Sequence, residues 1–213
     1  MSDTFHAAFA SDAELSNFDG ADLAHVVALL GIAPETRATF SLQEESRLAP
    51  AWDLWQENWF SPALVPAFAG CYHAASRLKI DDIQRIDETL DAKLNDSIRE
   101  RSINAGKAFL DGKSEMKGHR EWIRFTERIA AGKCPGHLPV LFALQCQLFH
   151  LPLAPSLTTY ARFEFQSRDG KFPFKKMSVE EGVIFSTILP SISLAVQENR
   201  EDHSDGSVTL RVI

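Results

Sequence analysis

Residues that could do chemistry are scattered through this sequence of 213 residues instead of being gathered into a motif. The seven histidines include no His-x-x-x-His and no paired Glu-x-x-His segments, so the ligand spacing of a zinc site or a di-iron bundle is missing. Glu115 and His119 lie four residues apart, and a solvent-exposed pair on a helix is the favoured interpretation. No Gly-x-Ser-x-Gly is present, and no cysteine has the surroundings of a nucleophile. The sequence therefore predicts a protein that is not an enzyme and needs no cofactor.

One segment comes close to a phosphate-binding loop. Five residues separate Gly106 from Gly112, which is followed by Lys113 and Ser114, whereas the loop motif has four residues between its glycines. The segment also follows a predicted helix, whereas a phosphate-binding loop leaves a strand. We therefore interpret Gly112 as the residue that ends the helix, and we expect no nucleotide site in this chain.

The composition favours a soluble packed protein and argues against several classes of partner. Hydrophobic residues make up 45% of the chain, while the net charge of −7 disfavours nucleic acid and anionic membranes. The sequence starts without the features of a secretory signal, and its longest apolar run, residues 138–153, is interrupted by polar side chains. The three cysteines show no paired spacing and are expected to be reduced thiols. We expect a cytoplasmic protein that binds neither nucleic acid nor a membrane.

Apolar periodicity predicts an all-α fold, a single bundle-like domain of about eight helices over residues 1–198. Residues 199–213 form a polar tail that is expected to be flexible. Residues 138–149 are apolar on nearly every side, which predicts a buried central helix.

Trp52, Trp55 and Trp59 share one face of a predicted helix. Packing into the core is the favoured interpretation, and an exposed partner surface is the alternative, since tryptophan is common at interface hot spots. We expect Pro62 to end this helix, because proline lacks the N–H that a helix interior uses.

Two later helices have recognisable boundaries. One is predicted over residues 115–131, with Gly132 as its stop. Ser178 and Glu181 have the spacing of a capping box. They are expected to start a helix that extends to about residue 197 and kinks at Pro190.

The segment over residues 99–110 is the most informative part of the chain. Arg99, Glu100, Ser102 and Gly106, followed by an apolar pair, match a pattern of the form Arg-Glu-x-Ser-x-x-x-Gly-x-x-Leu-Leu. This pattern is similar to the signature helix of the urease accessory protein F family. A glycine inside a helix costs about 1 kcal/mol relative to alanine, so we expect Gly106 to lie where two helices approach closely.

The resemblance to this family extends over about residues 60–196. Residues 83–92 are similar to the family's Leu-x-x-Leu-Asp-x-x-Leu-x-Ala, and His137 and Pro139 match its His-x-Pro. Leu189 and Pro190 resemble its late Leu-x-Pro helix. The chain departs from the family over residues 38–45 and 172–182, and it lacks the usual Tyr-Ser-Arg-Leu-Phe tail.

The resemblance implies a role without chemistry of its own. Members of this family are all-helical, form homodimers and bind a second urease accessory protein. They recruit the GTPase that carries nickel to apo-urease. The resemblance therefore implies a urease maturation protein, a chaperone for nickel insertion that works through protein–protein interactions.

Residues 171–176 form a basic, aromatic segment in an otherwise acidic chain. They lie where the family keeps a basic residue near its GTPase-facing surface. Lys171, Lys175 and Lys176, with Glu180 and Glu181 just after them, are therefore the candidate partner-binding residues. An ordinary solvated loop is an equally weighted alternative.

Two other functions remain open from the residues alone. The first is a helical enzyme or ligand-binding bundle with a pocket among Tyr72, His73, Trp122 and His150. The second is a helical adaptor that has no connection with urease.

Overall fold

The computed structural model describes residues 30–32, 36–42, 46–111, 113–168 and 177–204. Every regular element in these residues is helical, which confirms the predicted all-α fold. In chain order the elements are α1 (Leu48–Trp55), a π-helical segment (Gln56–Leu64), α2 (Val65–Ser76), α3 (Ile80–Lys93), α4 (Asp96–Leu110), a 3-10 helix (Ser114–Gly118), α5 (Arg120–Ala130), α6 (Leu138–Leu148), α7 (Leu153–Gln166), α8 (Val179–Ser186) and α9 (Leu189–Ser204).

The first long helix runs from α1 through the π-helical segment into α2, and Pro62 lies inside it. The expectation that Pro62 ends the helix is therefore wrong. A π-helical turn bonds each N–H one residue further back than an α-helix does and is wider. The backbone thereby accommodates a residue that has no N–H and whose ring would crowd a regular α-helix.

The tryptophan face of this helix belongs to the core. Trp52 and Trp55 are buried and stack with their ring centroids 4.9 Å apart. Phe40 and Phe165 meet Trp52 edge-on at 5.0 and 4.9 Å. Trp59 is half-buried and packs against the same cluster. This face is thus packed into the core and is not an exposed partner surface.

Helix α6 is the centre of the packing, as residues 138–149 predict. Each residue from 138 to 146 is buried, and the helix packs against α2, α4 and α7. The ring of Phe142 stacks on Phe109 of α4 at 5.6 Å and meets Tyr160 of α7 at 5.5 Å. A helix that is apolar on all sides is stable only when neighbours cover every face.

Helix α7 also holds the segment that precedes α1. The backbone amides of Thr39 and Phe40 donate to Glu164 Oε2, at 2.7 and 2.9 Å. The Tyr160 hydroxyl donates to Glu164 Oε1 at 2.7 Å. The carboxyl is fully buried, and burial raises the pKa of Glu164. No sequence pattern singles out this glutamate.

The predicted boundaries of two helices need correction. The segment over residues 115–131 is a short 3-10 helix followed by α5, which starts at Arg120. Pro190 lies in the first turn of a separate helix, where the missing N–H is not needed, instead of kinking one long helix. Helix α9 continues to Ser204, past the predicted helix end at about residue 197, and residues 205–213 lie outside the described part.

Candidate functional site

The residues of the signature segment converge on a contact between α3, α4 and the loop before α6. Gly106 faces this loop, and a Cβ placed on it would overlap the Gly136 carbonyl and lie 3.3 Å from the Leu138 amide nitrogen. Those atoms are backbone and cannot move aside as a side chain could. Gly106 therefore lies at a close approach, where α4 meets the end of the loop and the first residue of α6.

Asp87 fixes the loop from its other side. Its carboxylate accepts hydrogen bonds from the backbone amides of Gly136 and His137, at 2.6 and 3.0 Å. Gly136 has φ of 80°, a left-handed conformation that favours glycine. The side chain is fully buried, and this desolvation raises the pKa of Asp87 to about 6 despite the two amide donors.

His137, Asp91 and Arg99 complete the contact. His137 Nε2 lies 3.2 Å from Asp91 Oδ1, and the ring is fully buried, so desolvation lowers the pKa of His137 to about 4. The Arg99 guanidinium donates to the carbonyls of Asp91 and Leu94, at 2.9 and 2.8 Å, and to Asp96 Oδ1 at 2.7 Å. We call the set formed by Asp87, Asp91, Arg99, Gly106, Gly136 and His137 the junction.

The other residues of the resemblance lie around the junction. Ser102 and Pro139 are buried, Pro139 in the first turn of α6, while Glu100 is exposed. Asn95 caps α4, since its Oδ1 accepts the Ile98 amide at 2.9 Å. Asp87 occupies the aspartate position of the family pattern matched by residues 83–92, but neither it nor Asp91 is among the predicted site residues. Their spacing of four residues, which puts both on one helix face, is the signal that could have found them.

The junction is built to hold helices together. The Asp87 carboxylate and the Arg99 guanidinium bond to backbone groups, and the Asp91 carboxylate contacts the side chains of His137 and Arg99. No group of three potential metal ligands occurs among the described residues. The buried thiols of Cys134 and Cys146 have pKa values raised to about 12 by desolvation, so they stay protonated near neutral pH.

The segment that resembles a phosphate-binding loop also has a structural role. The Lys113 ammonium bonds to the carbonyls of Leu30 and Gly31, and it lies 4.0 Å from the centroid of the Phe109 ring. Its side chain is buried and thus committed to the protein. Gly112 lies outside the described residues.

Two of the four residues proposed to line an alternative pocket, Tyr72 and Trp122, contact other parts of the protein. The Tyr72 hydroxyl donates to the Leu151 carbonyl at 2.7 Å. The Trp122 ring is buried and meets Phe109 edge-on at 6.4 Å. His150 ends α6 with φ of 56°.

A different kind of surface lies on α8. Val179 and Val183 are 88% and 65% exposed, and Glu180 between them is exposed as well. The two valines lie four residues apart and therefore share one helix face. We call Val179, Glu180 and Val183 the α8 face.

Glu181 has partners inside the protein. It forms the predicted capping box with Ser178, whose amide it accepts at 3.0 Å, and it pairs with Arg168 at 2.6 Å. The Ser178 amide and the Arg168 guanidinium lower the pKa of Glu181. Lys171, Lys175 and Lys176 lie outside the described residues.

The exposed apolar surface continues along the chain. Within the described part, residues 179–197 are the one stretch long and apolar enough to cross a membrane by length and composition, and only 28% of it is buried. Leu194 of α9 is 56% exposed. These exposed apolar residues make α8 and α9 a candidate contact surface.

Comparison with known proteins identifies one family. A model of the UreF family matches residues 49–162, slightly more than half of the chain, and this range contains the whole junction. No curated protein and no solved structure matches the chain. The α8 face follows the matched range.

Proposed function

The chain belongs to the urease accessory protein F family, and from this membership we propose that it is a non-catalytic scaffold of urease maturation in the cytoplasm. In this proposal it forms a homodimer, binds a second urease accessory protein and couples a nickel-carrying GTPase to apo-urease. Nickel is the cargo of the assembly and is not held by this chain. The family match is the observation that carries the proposal.

The structure supports a division of labour within such a scaffold. The junction fixes the relative positions of α3, α4 and α6 through buried hydrogen bonds, so the surfaces outside it keep a defined shape. A rigid surface can favour one nucleotide state of a GTPase by binding that conformation more tightly than the other. By thermodynamic linkage, the nucleotide changes the affinity of the GTPase for the scaffold by the same factor by which the scaffold changes the affinity of the GTPase for the nucleotide.

We place the GTPase contact on the α8 face and the basic segment just before it. Val179 and Val183 supply apolar contact area, while Lys171, Lys175 and Lys176 would attract an acidic partner and fix its orientation. Glu180 is exposed and available to pair with a cation on the partner, and Glu181 orders the start of α8 through its capping box.

The test of this placement is the double variant Lys175→Glu and Lys176→Glu in the full chain. Helical circular dichroism should stay unchanged, while co-purification with the cognate GTPase and urease activation in cells should both fall. The matched control is Lys93→Glu with Lys107→Glu, which makes the same change in net charge at exposed positions of α3 and α4. Equal loss in both variants, or no loss in either, would show that this segment is not the docking site.

The homodimer is tested separately. Light scattering at micromolar concentration should give a mass of about twice the 23.8 kDa of one chain. A particle of 23.8 kDa at every concentration would argue against the dimer and leave the family assignment standing.

A further inference from the structure

An open depression of about 450 Å³ lies between the start of α3 and the side of α5. A second one, of about 220 Å³, adjoins it and shares Arg124 and Arg128. The two therefore form one elongated groove along α5, far larger than a single bound ion needs. We call it the basic groove, and its cationic lining residues are Lys79, Arg85, Arg124, Arg128 and Lys133.

The cations of this groove are only partly neutralised. Arg128 pairs with Asp81 at 2.7 Å, and Arg85 pairs with Asp82. By contrast, the side chains of Arg124 and Lys133 are exposed and form no ion pair with any residue that the structure describes. A chain with a net charge of −7 thus leaves two cations free on one groove.

Leu78, at the edge of the groove, is an unexpected residue for its position. Its side chain is 63% exposed, and its φ is 56°, in the left-handed region. The amides of Leu78 and Lys79 bond back to the carbonyls of Ala75 and Ala74, which is the arrangement that ends many helices. Glycine is the usual residue at this position because a side chain is disfavoured there.

Helix α5 shows the usual solution in the same protein. Gly132, with φ of 68°, occupies the equivalent position, and the amides of Gly132 and Lys133 bond back to Ile129 and Arg128. Leu78 therefore combines a left-handed backbone conformation, which His150 at the end of α6 also adopts, with an apolar side chain that is exposed. Strain of this kind concentrates at functional sites.

We propose that the basic groove binds a segment of a partner protein that carries several acidic residues and at least one apolar residue. The acidic side chains would meet Arg124 and Lys133, and the apolar one would pack on Leu78. Asp81, Asp82 and Glu127 also line the groove. These carboxylates would repel a dense polyanion such as nucleic acid, whereas a protein segment can place a lysine or arginine beside them. This inference is independent of the GTPase contact proposed for the α8 face.

The test uses the full chain and a defined probe, a fluorescent twelve-residue peptide of glutamate, aspartate and leucine. Fluorescence anisotropy at low salt should show binding that weakens about tenfold or more in the double variant Arg124→Glu and Lys133→Glu. The control Lys93→Glu with Lys107→Glu makes the same change in net charge and should change the affinity by less than about threefold. Equal weakening in both double variants would overturn the proposal, because the peptide would then respond to net charge alone.

Leu78→Gly separates a binding role from a structural one. Removing the strained side chain should raise the melting temperature, while the affinity for the peptide should fall about threefold or more. A variant that melts lower, or that binds the peptide as well as wild type, would contradict the role given to Leu78. Displacement of the peptide by a DNA duplex at equal concentration would show that the groove accepts any polyanion and would overturn the assignment to a protein.

Discussion

At the junction, Asp87, Asp91 and Arg99 all bond to groups inside the protein, whereas on the α8 face Val179 and Val183 are left in solvent. The first arrangement stabilises one packing of three helices, and the second leaves apolar area for a contact. The family match covers the junction and ends before α8. The part that identifies the chain is thus the part that sets its shape, and the surface proposed to select a partner lies beyond it.

The largest effect is expected where the junction is tightest. Gly106→Leu must push against the backbone at Gly136 and should destabilise the fold by about 3 kcal/mol through overpacking. Urea unfolding measures the change in the free energy of unfolding. Gly182→Ala on α8 is the matched control, because a Cβ there meets nothing within 4 Å, and it should be neutral or stabilising by up to about 1 kcal/mol. Equal effects of the two substitutions would remove the contrast between the two regions.

The second-largest expected effect is a dependence of the free energy of unfolding on pH that arises from Asp87. Burial raises its pKa from 3.8 to about 6, so its stabilising contribution is complete below pH 3.8 and is lost as the pH rises through about 6. Asp87→Asn does not titrate, so its stability relative to wild type should improve as the pH rises across this window. The change should be on the order of 3 kcal/mol.

The titration of His137 changes stability with pH in the sense opposite to that of Asp87, and it occurs both in wild type and in Asp87→Asn. Its lowered pKa gives a contribution that is present above pH 6.5 and is lost as the pH falls through about 4. Subtracting the free energy of unfolding of Asp87→Asn from that of wild type therefore cancels most of the His137 contribution. Urea unfolding of both proteins at several pH values from about 4 to 7 measures that difference. A penalty for the variant that grows with rising pH would mean that Asp87 is not desolvated as described.

A smaller effect is expected at the start of α8. Ser178→Ala removes the side chain that accepts the Glu181 amide at 3.1 Å, and loss of such a cap costs about 1 kcal/mol. Ser178→Asp should retain the cap and the stability. Hydrogen exchange of the α8 amides should rise in the alanine variant only. Unchanged exchange in that variant would show that the capping box does not hold the helix.

The smallest effect on stability should accompany a large effect on binding. Val179→Ser with Val183→Ser changes two exposed side chains, so the free energy of unfolding should shift by less than about 0.5 kcal/mol. Binding of the cognate GTPase should nevertheless weaken about tenfold. Ile123→Ser, at an exposed apolar position of α5, should leave that binding intact. If the valine variant instead loses binding to lipid vesicles and keeps the GTPase, the α8 face contacts membranes.

The sequence could predict those elements whose signals are local. The central helix α6 follows from an unbroken apolar run, and the Ser178 capping box follows from two residues at a fixed spacing. The passage of the first helix through Pro62 could not be predicted, because the wider π-helical turn that accepts the proline is not encoded in a short pattern. The bonds from Glu164 to the segment before α1 join residues 124 and 125 positions apart, beyond the reach of any periodicity.

The candidate site shows the same limit. The resemblance picked out Gly106 and His137, but it did not reveal that Asp87 connects them through the loop before α6. Leu78 gave no signal in the sequence, since its meaning depends on a left-handed backbone conformation that only the structure shows.

The most direct test of a role in urease maturation is the nickel content of urease in cells that lack this protein. After deletion of the gene, urease purified from nickel-supplied cells should be present in normal amount but poor in nickel and weakly active. The wild-type gene should restore both nickel and activity. Fully nickel-loaded, active urease in the deletion strain would contradict the proposed function.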